Sequence, residues 1–585
     1  MTRRLLLAAL PLVALLTAGC VSMPTSGRVV ETGPTATATQ VPGIAIDPRP
    51  PVPGASALEV VQGFLDAMLA TPLQTRTAQQ FLAADARSTW NPSRETIIYA
   101  EKSAPQPRPG GVVVELTGVH HLDARGAWLG ALAPPESELS FRMAREDDEW
   151  RIAEAPDALI VPDTWFESRF AQAALYFFDP SGHVLVPEPV FVPRGSQVAT
   201  ALVRGLVQGP GPELAGIVRS YLPAGVGEGL SVPVSEGGVA EIALTGGAVD
   251  PGQLDAQTLS QLTAQLAWTL RQEPTIRTVR LSVDGRPVQL PNGRDEFSVQ
   301  EGPEFDPAGY QTSPQLFGLS QGLLVAAPTG QPARLTPVQG PFGTSRHGLR
   351  SVAVDLPGKQ AAGVTAAGTL VLHSPVQVAG TATVVARGRD LLRPAWDIAG
   401  RLWLVDRTAR GAQVSYVRDG RQHQVRVPGI TGSDVRRFLV SRDGTRIVAL
   451  VRGGRRDTVV LSRLRSDDAG RVVSGTAAVE ISGADADRPA RIADIAWSAP
   501  TAVLVLHQLA DTAQVRTVSV DGAVDGATGI PASSITVGEV VDALVSSPVP
   551  TQAAWGISGA RLLGLVGDAR DTTLGGPVVD LGYVG

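Results

Sequence analysis

Two small α+β domains followed by an all-β propeller of about six blades form the architecture this sequence predicts. Three observations lead to it. Between residues 55 and 290, apolar residues recur with the 3.6-residue period of helices, beside alternating strand-like runs. Past residue 315 that period disappears, and a unit of apolar strand, polar turn and apolar strand recurs in its place. The copies stand roughly 35–60 residues apart, the range of propeller blades. Third, the first twenty residues carry the features of an export signal, which places the rest of the chain outside the cytoplasm.

Residues 1–19 read as a signal peptide. Arg3 and Arg4 precede an apolar run from Leu5 to Leu16, and the small residues Ala18 and Gly19 lead into Cys20. The run is too short to span a bilayer, which takes about 20 apolar residues. Cys20 is the only cysteine in the chain. A thiol directly after a signal peptide's small residues resembles the lipobox of bacterial lipoproteins. The resemblance implies that Cys20 receives diacylglycerol on sulfur, becomes the new N-terminus and is acylated again, giving an N-palmitoyl, S-diacylglycerol cysteine. The lipobox usually carries leucine three places before the cysteine; here Thr17 stands there and Leu16 precedes it. The alternative is an ordinary cleaved signal with a chance cysteine. Each buried acyl CH₂ is worth about 0.8 kcal/mol and stable anchoring takes two chains. A triacylated Cys20 therefore holds the chain on the outer face of the cell membrane. It also leaves no thiol for disulfides or cysteine catalysis.

Composition fits a folded, exported body. The 585 residues are enough for about three or four domains, and 43% are hydrophobic. The formal charge is −6; without Arg3 and Arg4 there remain 48 basic and 56 acidic residues, a charge of −8. A mildly acidic body is no footprint for nucleic acid, which calls for a basic face. Lys102 and Lys359 are the only lysines, and aromatics make up 5%, so the cores rest on Val, Leu and Ala.

Residues 20–54 read as the lipidated cysteine and a Pro-rich tether, ending in Asp47-Pro48-Arg49-Pro50-Pro51-Val52-Pro53-Gly54. At ~3.1 Å per residue such a chain reaches ~100 Å at most. Residues 55–162 read as an α+β domain. Ser56 is the expected N-cap of a helix with Leu58, Val61, Phe64, Leu65, Met68 and Leu69 on one stripe. A second helix is expected from Ala78 to Leu82, then strands at Thr96–Tyr99, Val112–Leu116, Ala127–Leu132, Leu139–Met143 and Trp150–Ile152. Helices first and a meander of curved strands after is the order of an NTF2-like or cystatin-like cone. The run Arg145-Glu146-Asp147-Asp148-Glu149 is either an acidic metal cluster or a solvated hairpin tip, and lies between two strands. His120 and His121 are adjacent, so on a strand they face opposite sides and form no tight site by themselves.

Residues 165–290 continue with a strand Ala174–Asp179 and its partner Val184–Val192. A helix Val198–Val207 then stops at Gln208-Gly209-Pro210. Strands are expected at Leu230–Val234, Val239–Leu244 and Ile276–Val283, with a helix Leu254–Leu270 between the last two. The Leu175-Tyr176-Phe177 strand, Gly209-Pro210, Leu222-Pro223-Ala224-Gly225, Gln265–Leu270 and Val283-Asp284-Gly285 together resemble the GerMN domain of sporulation and germination proteins. They are turn glycines and core apolars, which specify a fold and no chemistry.

Residues 291–315 read as a linker and residues 316–585 as the propeller. Its clearest repeat is Phe438-Leu439-Val440, Ser441-Arg442-Asp443-Gly444, Ile447-Val448-Ala449-Leu450; others centre on Val352–Val364, Pro394–Val405 and Ile495–Leu506. A single blade cannot bury both faces, and radial packing does so. Lipobox, α+β domain, GerMN domain and propeller in this order resemble the actinobacterial lipoprotein LpqB family across the whole chain. That resemblance implies a membrane-anchored, extracytoplasmic lipoprotein that binds the extracellular domain of a sensor histidine kinase, MtrB, and modulates signalling to its regulator MtrA, with effects on the envelope and division. An alternative is a lipoprotein that binds cell-wall glycan or peptide and has no kinase partner.

No cofactor, metal site or catalytic residue is expected. Gly318-Leu319-Ser320-Gln321-Gly322 matches the nucleophile-elbow pattern, but that motif needs a strand-turn-helix and here it falls in a β-only region. The seven histidines are scattered and no cysteine ligands exist, which argues against a zinc site. Arg452-Gly453-Gly454-Arg455-Arg456 and Val435-Arg436-Arg437 read as solvated blade turns, or as sites for phosphate or an acidic polymer. A hydrolase at the propeller centre would need carboxylates about 5–9 Å apart.

Overall fold

The computed structural model describes residues 48–585 except 72, 135, 224, 226–230, 247–253, 291–292, 468, 482–490, 524–533 and 567–568. The signal peptide, Cys20 and most of the tether lie outside the described residues.

The first helix, Ala57–Ala67, begins where the sequence places it. The Ser56 Oγ accepts from the Glu59 N–H at 3.3 Å, and the Glu59 carboxylate accepts from the Ser56 N–H at 2.7 Å, a reciprocal capping box. Val60, Val61, Phe64 and Leu65 are buried; Phe64 packs against Trp90 and Phe141 at centroid distances of 5.4 and 5.9 Å. The expected second helix is shorter, Arg76–Gln79, and a further one spans Ala84–Thr89. Phe81 and Leu82 leave the helix because Ile152 competes for their backbone: the Ile152 N–H donates to the Phe81 carbonyl at 2.9 Å. The strands form two sheets rather than one meander. One runs Trp128–Ala131, His120–Asp123, Glu95–Tyr99, Leu159–Pro162, the last pair parallel. The other holds Glu101–Lys102, Gly111–Thr117, Glu138–Glu146 and Glu149–Glu154, with Gln106–Arg108 at its side. The charge run 145–149 is the hairpin tip of that sheet, with Asp147 and Asp148 at φ 52° and 62°.

The GerMN-like part opens with the antiparallel pair Phe170–Phe178 and Leu185–Pro193. The helix Val198–Val207 matches its expected span. Val239–Leu244 and Thr278–Val283 are parallel neighbours, joined through the helix Ala256–Leu270. Asp255 starts that helix by accepting from the N–H groups of Gln257 and Thr258 at 3.0 and 2.9 Å. The expected strand over 230–234 reduces to a bridge between Val234 and Ala240; residues 226–230 lie outside the described residues. Residues 291–315, expected as a linker, are partly built into this domain. Glu296–Ser298 pairs with Thr278–Val283, the Trp268 indole donates to the Gly302 carbonyl at 2.9 Å, and Phe305 meets Phe178 edge to face. The apolar groups Trp268, Phe178 and Phe305 need cover, and this segment supplies it.

Among the described residues, six antiparallel sheets follow. Their innermost strands are Val578–Gly582, Leu349–Val354, Ala395–Trp396, Val435–Val440, Ile492–Ala499 and Ala543–Val545. Each innermost strand touches the next, and the last touches the first. Six apolar clusters sit one between each neighbouring pair of sheets, for example Phe317 and Phe342 with Val352, Trp403 with Phe438, and Trp555 with Tyr583. The region is therefore a closed, propeller-like ring. Its first sheet is completed by Val578–Gly582 pairing with Leu316–Ser320. Ser320 lies in a plain hairpin to Leu323–Ala327, turned by Gln321 and Gly322 at φ 50° and 80°, so no nucleophile elbow exists there.

Candidate functional site

The repeat unit positions one end of the ring. Three of the innermost strands run into a turn held by an aspartate. Asp355 accepts from the N–H groups of Lys359 and Gln360, Asp397 from Arg401 and Trp403, and Asp443 from Ser441 and Thr445. Short polar side chains that bond their own backbone make such turns. This turn face is covered. The Arg442 guanidinium donates to the Ala308 carbonyl at 2.6 Å, and the Ser313 N–H donates to the Leu356 carbonyl at 2.8 Å.

The GerMN-like part docks on the same face through a buried charge cluster. Glu188, 6% exposed in the strand Leu185–Pro193, accepts from Arg446 at 2.7 Å and from Arg463 at 2.5 Å. Arg446 is 0% exposed and also donates to the Pro187 carbonyl at 2.5 Å, with Asp443 at 3.5 Å. Burial alone would raise the Glu188 carboxyl, but Arg446 and Arg463 outweigh it and hold it below the usual carboxylate range. Nearby, the Gln172 amide donates to Ser519 at 2.9 Å and Asp521 at 3.2 Å. The first domain joins too: Ala523 of the ring sits in its core, and Arg125 bridges Asp123 and Glu213 at 2.8 Å each. Sequence reasoning passed over Glu188, although a lone carboxylate inside the apolar run Val184–Val192 was the available signal.

The opposite face is open. A cavity of about 650 Å³ runs along the ring axis. At its mouth Asp580 meets Arg393 at 3.5 Å and accepts from the Val352 N–H at 2.6 Å. Asp494 meets Arg437 at 3.2 Å and accepts from the Leu544 N–H at 2.9 Å. Asp390 is shared by Arg350 at 2.7 Å and Arg407 at 2.5 Å. These pairs tie neighbouring sheets together. Val435-Arg436-Arg437, expected as a turn, begins an innermost strand, so Arg436 and Arg437 line the cavity. Arg452–Arg456 is a hairpin end beside that strand, since Val435 pairs with Val451 and Arg452 with Asp457. His121 contacts Glu95 at 2.6 Å and His120 stacks on Trp128 at 4.9 Å; the two point apart as their adjacency requires. Among the described residues no group of three His, Cys, Asp or Glu could hold a metal ion. No helix among them is long and apolar enough to cross a membrane.

These observations define a multidomain, mostly β protein in which a GerMN-type domain is fused to a propeller-like ring. Comparison with known proteins agrees. Residues 50–167 match the family model for the lipoprotein LpqB N-terminal domain, residues 174–289 the model described as sporulation and spore germination, and residues 322–544 the lipoprotein LpqB beta-propeller domain. Lipoprotein LpqB of Thermobifida fusca is 28% identical over 554 residues, covering 85% of this chain and 86% of the relative. That of Streptomyces coelicolor is 26% identical over 565 residues, covering 90% and 89%. Two of the three matching models and both of these relatives are of lipoprotein LpqB, to which the chain is thus similar over most of its length. Of solved structures, the first GerMN domain of the sporulation protein GerM from Bacillus subtilis is 24% identical, covering 22% of this chain and 97% of that one, with a TM-score of 0.18.

Proposed function

We propose that the chain is a non-enzymatic, membrane-tethered adaptor that binds the extracellular domain of a sensor histidine kinase and modulates its signalling to the cell envelope and division machinery. The observation that carries this reading is the Glu188–Arg446–Arg463 cluster, which fuses the GerMN-like part to the ring while the opposite face of the ring stays open. A scaffold joined this way presents one rigid surface, and rigidity lowers the ordering cost of association. Lipidation at Cys20 would confine that surface to the outer leaflet and raise its concentration near a membrane kinase. Modulation requires different affinity for two kinase states, since equal affinity shifts no population. A tenfold preference corresponds to about 1.4 kcal/mol.

The test is crosslinking in cells, followed by identification of the captured membrane protein. The kinase's exported domain and purified cell wall then serve as rival baits for the full-length protein. Capture of the kinase domain supports the adaptor; capture of wall alone replaces it with a wall-binding lipoprotein. For the anchor, a palmitate analogue should label the wild type and not Cys20→Ala. Persistent label on that variant rejects Cys20 as the lipidated residue.

A further inference from the structure

The mouth of the ring collects charge that the chain as a whole lacks. The net charge is −6, yet the cavity is lined by six arginines, among them Arg350, Arg407, Arg436 and Arg437, against three aspartates, Asp494, Asp542 and Asp580. Exposed Arg389 and Arg410 stand at the same end: Arg389 immediately precedes Asp390, which meets Arg407, and Arg410 turns the hairpin that follows Thr408. Asp390 answers Arg350 and Arg407, and Asp406 accepts from the Arg389 and Asp390 N–H groups, so with Arg389 and Arg410 that part of the rim sets four guanidiniums against two carboxylates. Three buried polar atoms of the lining have no hydrogen-bond partner: Ser351 Oγ, Arg407 Nε and Arg436 Nε. Ser351 is 9% exposed. A buried donor left unmade costs about 1–3 kcal/mol, so such groups point to something that completes them.

The rest of the lining narrows the choice of ligand. Phe438, Ile495, Ile557 and Leu581 give the cavity apolar walls between the arginines. Asp542 also lines it, with one carboxylate oxygen accepting from the Gly559 N–H at 3.0 Å. A uniform polyanion finds no use for apolar walls. A peptide supplies carboxylates for the guanidinium forks, apolar side chains for the walls and backbone N–H groups for Asp542.

We propose that this cavity is a docking site for an acidic peptide segment of a protein partner, in which carboxylates alternate with apolar side chains. The proposal rests on the reading of the chain as a protein-binding adaptor and names the surface that does the binding. Carboxylates meet Arg407 and Arg436 at the gap between the third and fourth sheets, and the intervening side chains enter the axis.

The test uses the full-length protein and a fluorescent peptide of alternating glutamate and leucine, followed by anisotropy. The peptide binds, added salt weakens it, and a glutamine-for-glutamate version does not bind. Arg436→Gln weakens binding about tenfold, in line with the loss of a charge-assisted pair. Adding Arg407→Gln weakens it further, while Arg108→Gln, on the first domain, changes nothing. Among the described residues Arg436 pairs with the exposed Asp434, at 2.7 Å, so the single variant keeps the fold, which a melting curve checks. No binding, equal binding by the variants, or binding of polyphosphate in place of the peptide overturns the proposal. Capture of the kinase domain by the same variants separates the two readings. Undiminished capture with no peptide binding rejects this site and leaves the adaptor standing. Arginine-dependent peptide binding without kinase capture does the reverse.

Discussion

Arg446 is the side chain with the most at stake. It is fully buried, and its charge is balanced by Glu188 from another domain together with Asp443. Removing one partner of a buried pair leaves an uncompensated charge, at a cost of about 3–5 kcal/mol. Glu188→Ala should lose that much stability by chemical denaturation. Glu188→Leu combined with Arg446→Met should recover only part of it, because Arg463 and Asp443 then lose their partners. The pH dependence follows from the same cluster. The folded pKa of Glu188 lies below its ordinary value of 4.5, so its stabilisation is present above that value and fades as pH falls through the depressed one. Asp494 and Asp521 behave oppositely: burial raises them, the fold favours their protonated forms, and they gain as pH falls. Acid should therefore loosen the Glu188 contact before the ring. Hydrogen exchange along residues 185–193 and 446–463 should rise below pH 4.5, and Glu188→Gln should abolish that acid dependence. Little of this was legible beforehand. The pairing of Glu188 with Arg446 joins two domains across 258 residues of chain, and nothing in the repeat around Arg446 points to its partner.

Among elements, long periodic ones were the most legible. The helices at 57–67, 198–207 and 256–270 lie where stripe, cap and stop signals put them. Ser56→Ala should cost about 1 kcal/mol, read from the unfolding midpoint of the full chain, since it breaks both halves of the capping box. Short elements defeated the reading. His120–Asp123 and Leu159–Pro162 have four residues each, too few for a period, and gain their strand character from Glu95–Tyr99 between them. The junction of the first two domains turns on Gly126, whose φ is 85° and whose added Cβ would stand 2.2 Å from the Phe191 carbonyl oxygen. Its own carbonyl accepts from the Phe191 N–H at 2.7 Å. Gly126→Ala should destabilise by more than 1 kcal/mol, because it adds both a clash and backbone strain. Differential scanning calorimetry checks it.

At the scale of the whole molecule, the order of parts was readable because each part has its own period. How they lock together was not, since the contacts are single residues scattered through turns. The residues from Pro48 to Gly585 form one unit, and the buried cluster is a main reason. Full-length protein should unfold in one cooperative transition, and Glu188→Ala should split it in two when intrinsic fluorescence and far-ultraviolet circular dichroism are followed together. The closing strand carries a different consequence. Leu316–Ser320 waits for Val578–Gly582, which the chain delivers only after every other sheet. Until then its free edge offers unpaired amides to any neighbour. Pairings between such distant stretches are also slow to form. Crowding while the ring is still open is thus the hazard this topology has to outrun, and how quickly the circle shuts sets how many molecules end up single rather than clumped.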